Sequence, residues 1–288
     1  MNSPRDLRRR IRSITSTAQI TKAMQMVAAS KMRKAQLAAL AGRPFVQVLY
    51  RIQREATTRV HDFSHPLLEH RDVGKRAVIL VGADKGLCGA LNSNVFRLAS
   101  EFDSQSTLFV TAGRKAAQFI ARTGRQLVAE FAYGDTPRFA EARSIAAFAR
   151  DLFLKHEVDE VKIIATRFIN TLNQHPLCLD FLPVGEIKGM NIPGVRSEDE
   201  LAADTTESLF EPNPQFVLSY MLSHYLDIYV YQMLLNAKAS EQSARMVSMK
   251  NATDSAETLI QDLTREYNKL RQGNITNELL EIAGGQSD

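Results

Sequence analysis

From Arg5 to Ala41 the chain runs thirty-seven residues without Gly or Pro, and its apolar positions recur at spacings of three and four. The line Leu7, Ile11, Ile14, Ala18, Thr21, Gln25, Ala28, Met32, Ala35 and Ala39 has eight apolar members in ten. That is one narrow stripe along a helix, the pattern of a seam facing a partner helix. Four of the eight are alanine, so the two axes are expected to approach closely. Asn2, Ser3 and Pro4 supply the helix start. Gly42, Arg43 and Pro44 predict a kink, after which a helical pattern resumes and ends near Thr58.

A second stretch, Gln215 to Gln272, holds fifty-eight residues without Gly or Pro. It reads as part of one helix from Gln215 to about Ala283, and the uninterrupted stretch alone spans roughly 87 Å at 1.5 Å per residue. Its 3/4 line is Ile228, Tyr231, Leu235, Lys238, Gln242, Arg245, Met249, Ala252, Ala256, Leu259, Leu263, Glu266 and Leu270. Nine of these thirteen are apolar. The polar lapse from Lys238 to Arg245 predicts either register setting or contact with something outside the helix pair. About 15 residues, roughly 20 Å, of this helix should overhang its shorter partner.

Between the two ends the period changes. Strands are expected at Arg76–Gly82, Thr107–Ala112, Leu127–Tyr133, Glu160–Ile169 and Leu177–Pro183, with helices at Leu91–Phe102, Lys115–Arg122 and Arg138–His156. This alternation predicts a small, mostly parallel α/β sheet with helices on both faces. The organisation expected is an N-terminal coiled-coil helix over 1–60, an α/β globular domain over 61–214 that ends in an exposed connection over 185–214, and a C-terminal coiled-coil helix over 215–288. The two long helices should pair as an antiparallel coiled coil with the globular domain at its foot.

Composition adds limits. No run of about 18 apolar residues exists, so no membrane-spanning helix is expected. The N-terminal segment has no apolar signal region, and no cleaved leader is read there. The two cysteines, Cys88 and Cys178, form no CxxC or metal spacing, which favours structural roles in a reducing compartment. His61, His65 and His70 share a loop but not a ligand spacing, and Leu67 and Leu68 beside them suggest packing. No metal, cofactor or catalytic constellation is expected.

Charge changes the picture more. The chain carries +4 overall, yet residues 1 to 35 hold nine basic side chains against one acid, Asp6. Such an arm suits an acidic protein surface, and the alternatives are nucleic acid or an anionic membrane surface. The absence of aromatics before Phe45 speaks against base stacking. Met24, Met26 and Val27 lie off the seam and predict a second apolar surface. The loop Gly82–Asn92 places three glycines between a strand and a helix, but fits neither GxGxxG nor GxxxxGK[ST]. It reads as a surface recognition loop, with Asp84 and Lys85 as an exposed pair.

Ile20–Gln36 (ITKAMQMVAASKMRKAQ), Asp84–Asn92 (DKGLCGALN), Ser240–Ala256 (SEQSARMVSMKNATDSA) and Tyr267–Ile282 (YNKLRQGNITNELLEI) resemble signature segments of the gamma subunits of rotary F-type ATP synthases. The resemblance implies a non-catalytic central-stalk rotor that couples proton flow to ATP synthesis or hydrolysis. Its implied partners are the hexamer of alpha and beta subunits, the epsilon subunit and the membrane c-ring. The implied place is the cytoplasmic face of a bacterial inner membrane, as a peripheral subunit. The resemblance implies coupling roles for Met24, Arg271, Gln272, Thr276 and Glu278. For Arg245 and the Lys85 to Cys88 loop it implies contacts with acidic loops of the beta subunits. The chloroplast type's cysteine-bearing insertion has no counterpart in this sequence, which implies no thiol control.

Overall fold

The computed structural model describes residues 3–42, 48, 52, 55–56, 63–185 and 211–284. The expected kink at Gly42 to Pro44, the helix end near Thr58 and most of the 185–214 connection lie outside the described residues. The elements run in the order α1 (Pro4–Ala41), a 3₁₀ turn (Pro66–Leu68), β1 (Arg76–Val81), α2 (Leu91–Ser100), β2 (Thr107–Ala112), α3 (Arg114–Arg122), β3 (Gln126–Phe131), α4 (Phe139–Leu154), β4 (Glu160–Phe168), β5 (Gln174–Leu182) and α5 (Pro214–Gly284). The described residues form two compact units, one of Ala29–Ala244 and one of Met1–Ala28 with Arg245–Asp288. Both long helices contribute to each.

In the larger unit the sheet order is β3-β2-β1-β4-β5. The first four strands are mutually parallel, and β5 returns antiparallel to β4. β1 sits at the centre, so its sequence RAVILV is apolar on both faces, as a strand covered on both sides requires. Alternation then sorts its side chains. Val78 and Leu80 join Val95, Phe109, Ala116, Ile120 and Ile164 beneath α2 and α3, where Phe96 and Phe119 stack at 4.5 Å. Ala77, Ile79 and Val81 face the other way, into a core shared with α4 and with α5 from Leu222 to Ala237. The expected parallel sheet and two-sided helix cover are both present.

One wall of that core was not foreseen. Residues 226–235 of α5 are buried on nearly every side, because this part of the helix covers the sheet rather than only facing a second helix. The same packing explains the polar lapse, which meets groups outside the helix pair, as one of the two expectations had it. Lys238 is 1% exposed, Glu241 2%, Gln242 2%, and Ser240 and Ser243 are fully buried. The Lys238 ammonium reaches Glu241 Oε2 at 2.9 Å. The Ser243 hydroxyl donates to the Thr171 carbonyl at 2.9 Å, and Ser240 lies 3.5 Å from the Thr166 carbonyl.

In the smaller unit, α1 and α5 form a two-helix pair. The seam read for α1 holds throughout, since every member from Leu7 to Ala39 is buried or half-buried. Thr21, a polar seam position, pairs its hydroxyl with that of Thr253 at 2.7 Å. That bond exposes an error in the α5 line. Leu259 is 47% exposed and Glu266 is exposed, whereas Ile260 and Tyr267 are half-buried. The true stripe is Met249, Thr253, Ala256, Ile260, Leu263, Tyr267 and Leu270; reading Ala252 in place of the polar Thr253 moved two later positions off it. Beyond Leu270 every residue whose burial is described is exposed as far as Leu280.

Candidate functional site

The glycine loop between β1 and α2 is fixed at its base by backbone geometry. Tyr133, buried beyond the end of β3, donates its hydroxyl to the Gly82 carbonyl at 2.9 Å. Burial, then the nearby Glu241 and Asp84 carboxylates, push that phenol far above its ordinary range, so it stays a donor. Gly113 passes so close that a Cβ there would lie 2.2 Å from the same Gly82 oxygen, and its φ of +96° suits glycine. Asp84 is not simply an exposed ion-pair member. Its Oδ1 accepts from the Arg114 backbone N–H at 3.1 Å, meeting an unpaired donor in the first turn of α3.

The far side of the loop is held by Asn92. Its Oδ1 accepts from Ala83 N–H at 3.1 Å, and its Nδ2 donates to Cys88 Sγ at 3.4 Å. Cys88 is 2% exposed and packs with Ala83, Leu91 and Ala244. The loop therefore turns its cysteine inward and offers Lys85 and Leu87 outward. Leu87, at φ +62° and 60% exposed, is the apolar tip that the sequence reading passed over. Its signal was an apolar residue between two glycines in a polar loop.

The remaining expected contact residues divide by burial. Met24 is half-buried, Arg245 is buried at 8%, and Arg271, Gln272 and Thr276 are exposed on α5. Thr276 turns its hydroxyl back to the Gln272 carbonyl at 2.9 Å. Glu278 lies within the helix, and its side chain is outside the described set. Met26 at 63% and Val27 at 54% exposed form an apolar surface off the seam, as expected, with Ile20 at 58% beside them. Arg5, Arg8, Arg9, Arg10 and Arg12 are outward or half-outward along α1.

A compact charged cluster sits behind the loop. Asp135 accepts from Lys31 of α1 at 2.6 Å and stands 3.8 Å from Lys238 of α5. The Lys31 hydrogen bond first, and then the fields of Lys238 and Lys85, hold the Asp135 carboxyl below its usual range against the opposing effect of burial. The Lys238 ammonium also lies 4.9 Å from the Tyr133 ring centre. Elsewhere in the unit, Arg150 reaches Asp227 at 3.0 Å, and burial raises that carboxyl despite the arginine.

His65 anchors the start of the 3₁₀ turn: its Nδ1 accepts from the Leu67 N–H at 3.2 Å, and Leu67 is buried as expected. Cys178, read as structural, is exposed. Among the described residues no cluster of His, Cys, Asp or Glu could hold a metal ion, and no helix is long and apolar enough to cross a membrane.

Comparison with known proteins gives one consistent result. The family profile described as ATP synthase matches residues 3–287. The ATP synthase gamma chain of Opitutus terrae is 46% identical over 294 aligned positions, covering 99% of this chain and 98% of that one. That of Methylacidiphilum infernorum is 41% identical, covering 99% of each. Among solved structures, the central stalk and c-ring of Tetrahymena thermophila mitochondrial ATP synthase matches with a TM-score of 0.57 and 25% identity, over 81% of this chain and 99% of the other. A chain of the Euglena gracilis mitochondrial enzyme matches in fold with a TM-score of 0.68 and 20% identity, over 99% of this chain and 93% of the other. None of these comparisons favours the alternative of a nucleic-acid or membrane-surface arm.

Proposed function

The chain belongs to the ATP synthase gamma-chain family, and from that membership we propose that it is the non-catalytic rotor of the central stalk. In this reading it carries rotation between a membrane c-ring and a hexamer of alpha and beta subunits, with the epsilon subunit beside it. The chemistry of ATP takes place on the hexamer. The chain itself works as a peripheral subunit at the cytoplasmic face of a bacterial inner membrane. The observation that carries the proposal is the near full-length match to named gamma chains, which includes both long helices and the loop.

The physical properties of the chain suit that task. A rotor must meet successive partners without binding any of them tightly. The arginines of α1 are exposed and carry long-range attraction that salt screens beyond about 10 Å at 0.1 M, which steers without locking. The contact set proposed comprises Met24, Lys85, Cys88, Arg245, Arg271, Gln272, Thr276 and Glu278. Within it, Lys85 and the exposed stretch of α5 are open for direct contact. Cys88 and Arg245 are buried in this chain, so Cys88 contributes by shaping the loop and Arg245 meets a partner only where α5 is approached closely.

Reconstitution tests the proposal. Added to alpha and beta subunits, the chain should complete an ATP-hydrolysing assembly in which a filament fixed to the chain rotates. A Leu87→Cys cross-link to beta should stop both turnover and rotation, Leu87 being the exposed counterpart of the buried Cys88. Full turnover after complete cross-linking refutes the rotor reading.

A further inference from the structure

The segment Tyr133–Asp135 touches three parts of the larger unit at once. The Tyr133 hydroxyl holds Gly82 at the base of the glycine loop at 2.9 Å. Two residues on, the Asp135 carboxylate takes Lys31 of α1 at 2.6 Å and faces Lys238 of α5 at 3.8 Å. Lys238 is itself tied to Glu241 at 2.9 Å and lies against the Tyr133 ring. None of these groups belongs to the expected contact set apart from the loop they support. All are costly to assemble: a lysine 1% exposed needs its charge compensated nearby.

From this geometry we infer that Asp135 is a positioning residue, and that Tyr133–Asp135 is a strut linking the partner-facing loop to both long helices. Through it, force applied at Lys85 or Leu87 reaches α1 and α5 by charged and hydrogen-bonded contacts instead of being absorbed by movement of the loop alone. The field of Lys85, which also reaches Asp135, has the sign required for such coupling. The inference rests on the rotor reading for its purpose, while the strut itself is a property of the isolated chain.

Asp135→Asn tests it with little risk to folding, because the Asp135 side chain is 54% exposed. Asp135→Glu serves as the conservative control. In the isolated full-length chain, hydrogen exchange followed by mass spectrometry should show faster exchange in Asp135→Asn at the loop-anchored amides of Ala83 and Arg114. The central-strand amides of Ile79 and Leu80 should be unchanged, and Asp135→Glu should stay near the original. In vesicles carrying the reconstituted complex, protons pumped per ATP hydrolysed should fall roughly twofold or more in Asp135→Asn, the scale of single changes within coupled networks. Raising salt toward 1 M, where screening acts within about 3 Å, should bring the original chain toward the variant.

Unchanged exchange at Ala83 and Arg114 overturns the strut. Faster exchange with undiminished pumping overturns the positioning role, since the contact is then structural only. Equal behaviour of Asp135→Asn and Asp135→Glu overturns the assignment to the carboxylate. Failure of the unmodified chain to support coupled hydrolysis refutes the rotor reading instead, and the exchange measurement still decides the strut.

Discussion

Replacing Lys238 by Met keeps the length and most of the volume of the side chain while removing its charge. The ammonium is 1% exposed and the carboxylate of Glu241, 2.9 Å away, is 3% exposed. Water therefore does little to compensate either group. Taking one partner from a buried pair costs about 3–5 kcal/mol. The cation over the Tyr133 ring lies within that total. No cavity contribution arises, because methionine fills the space of the lysine stem.

The companion change Lys238→Met with Glu241→Leu removes both charges. Stability should then return to within about 1 kcal/mol of the original, or exceed it. Native-state hydrogen exchange at β1 amides is the suitable assay, since it reads the opening free energy of the larger unit without requiring two-state unfolding of the whole chain. A loss below about 1 kcal/mol for the single variant refutes the reasoning. So does a double variant as unstable as the single, because the cost then lies in packing and not in the lost charge pairing.

Gly113→Ala should destabilise by about 1–3 kcal/mol or more, given φ +96° and the Gly82 oxygen 2.2 Å from the new Cβ; a thermal midpoint equal to the original contradicts this. In the helix pair, Ala28→Leu should overpack a seam position 1% exposed and cost about 1–3 kcal/mol, whereas Met26→Ala, at 63% exposed, should stay within about 0.5 kcal/mol; equal effects in denaturant unfolding argue against the seam. Acid should act through Asp135. Its folded pKa is depressed, by the Lys31 hydrogen bond above all, so its stabilising effect is present above the unfolded value of about 3.9 and is lost as pH falls through the folded one. Asp227 is shifted upward by burial and has the opposite sign, so the test is the difference between the original and Asp135→Asn, which should shrink below about pH 4; a constant difference from pH 6 to pH 3 refutes it.

Local pattern carried the elements well where one period dominated. The RAVILV strand, the two short helices over the loop-facing side of the sheet, and the alanine seam of α1 were legible because each sits in a uniform environment. The middle of α5 was less so. Leu222, Leu226, Ile228, Tyr229, Val230, Met233 and Leu234 are apolar around the whole helix, the mark of an element buried on all sides, but a seam-only reading uses just one line of them. Lys238 read only as a polar lapse in the seam, since its shelter comes from Tyr133 and Asp135, about a hundred residues away in sequence. Asp84 was read too narrowly for a similar reason, since it also accepts from the backbone of Arg114, thirty residues on. Within the site, glycine spacing marked the loop correctly, while which of its side chains turn inward depended on Asn92 and Ala244.

The 71 residues of α5 share one hydrogen-bonding pattern but not one thermodynamic character. Residues 226–243 open only if the sheet core opens with them, Met249 to Leu270 are guarded along one stripe, and Arg271 to Leu280 are guarded by nothing among the described residues. Local opening free energies should therefore descend in steps along a single continuous helix. A protease probing the isolated chain would take the exposed end first and stop near Leu270. A partner that encloses that end would erase the lowest step, and its arrival would be visible as protection in a stretch that the described residues leave exposed.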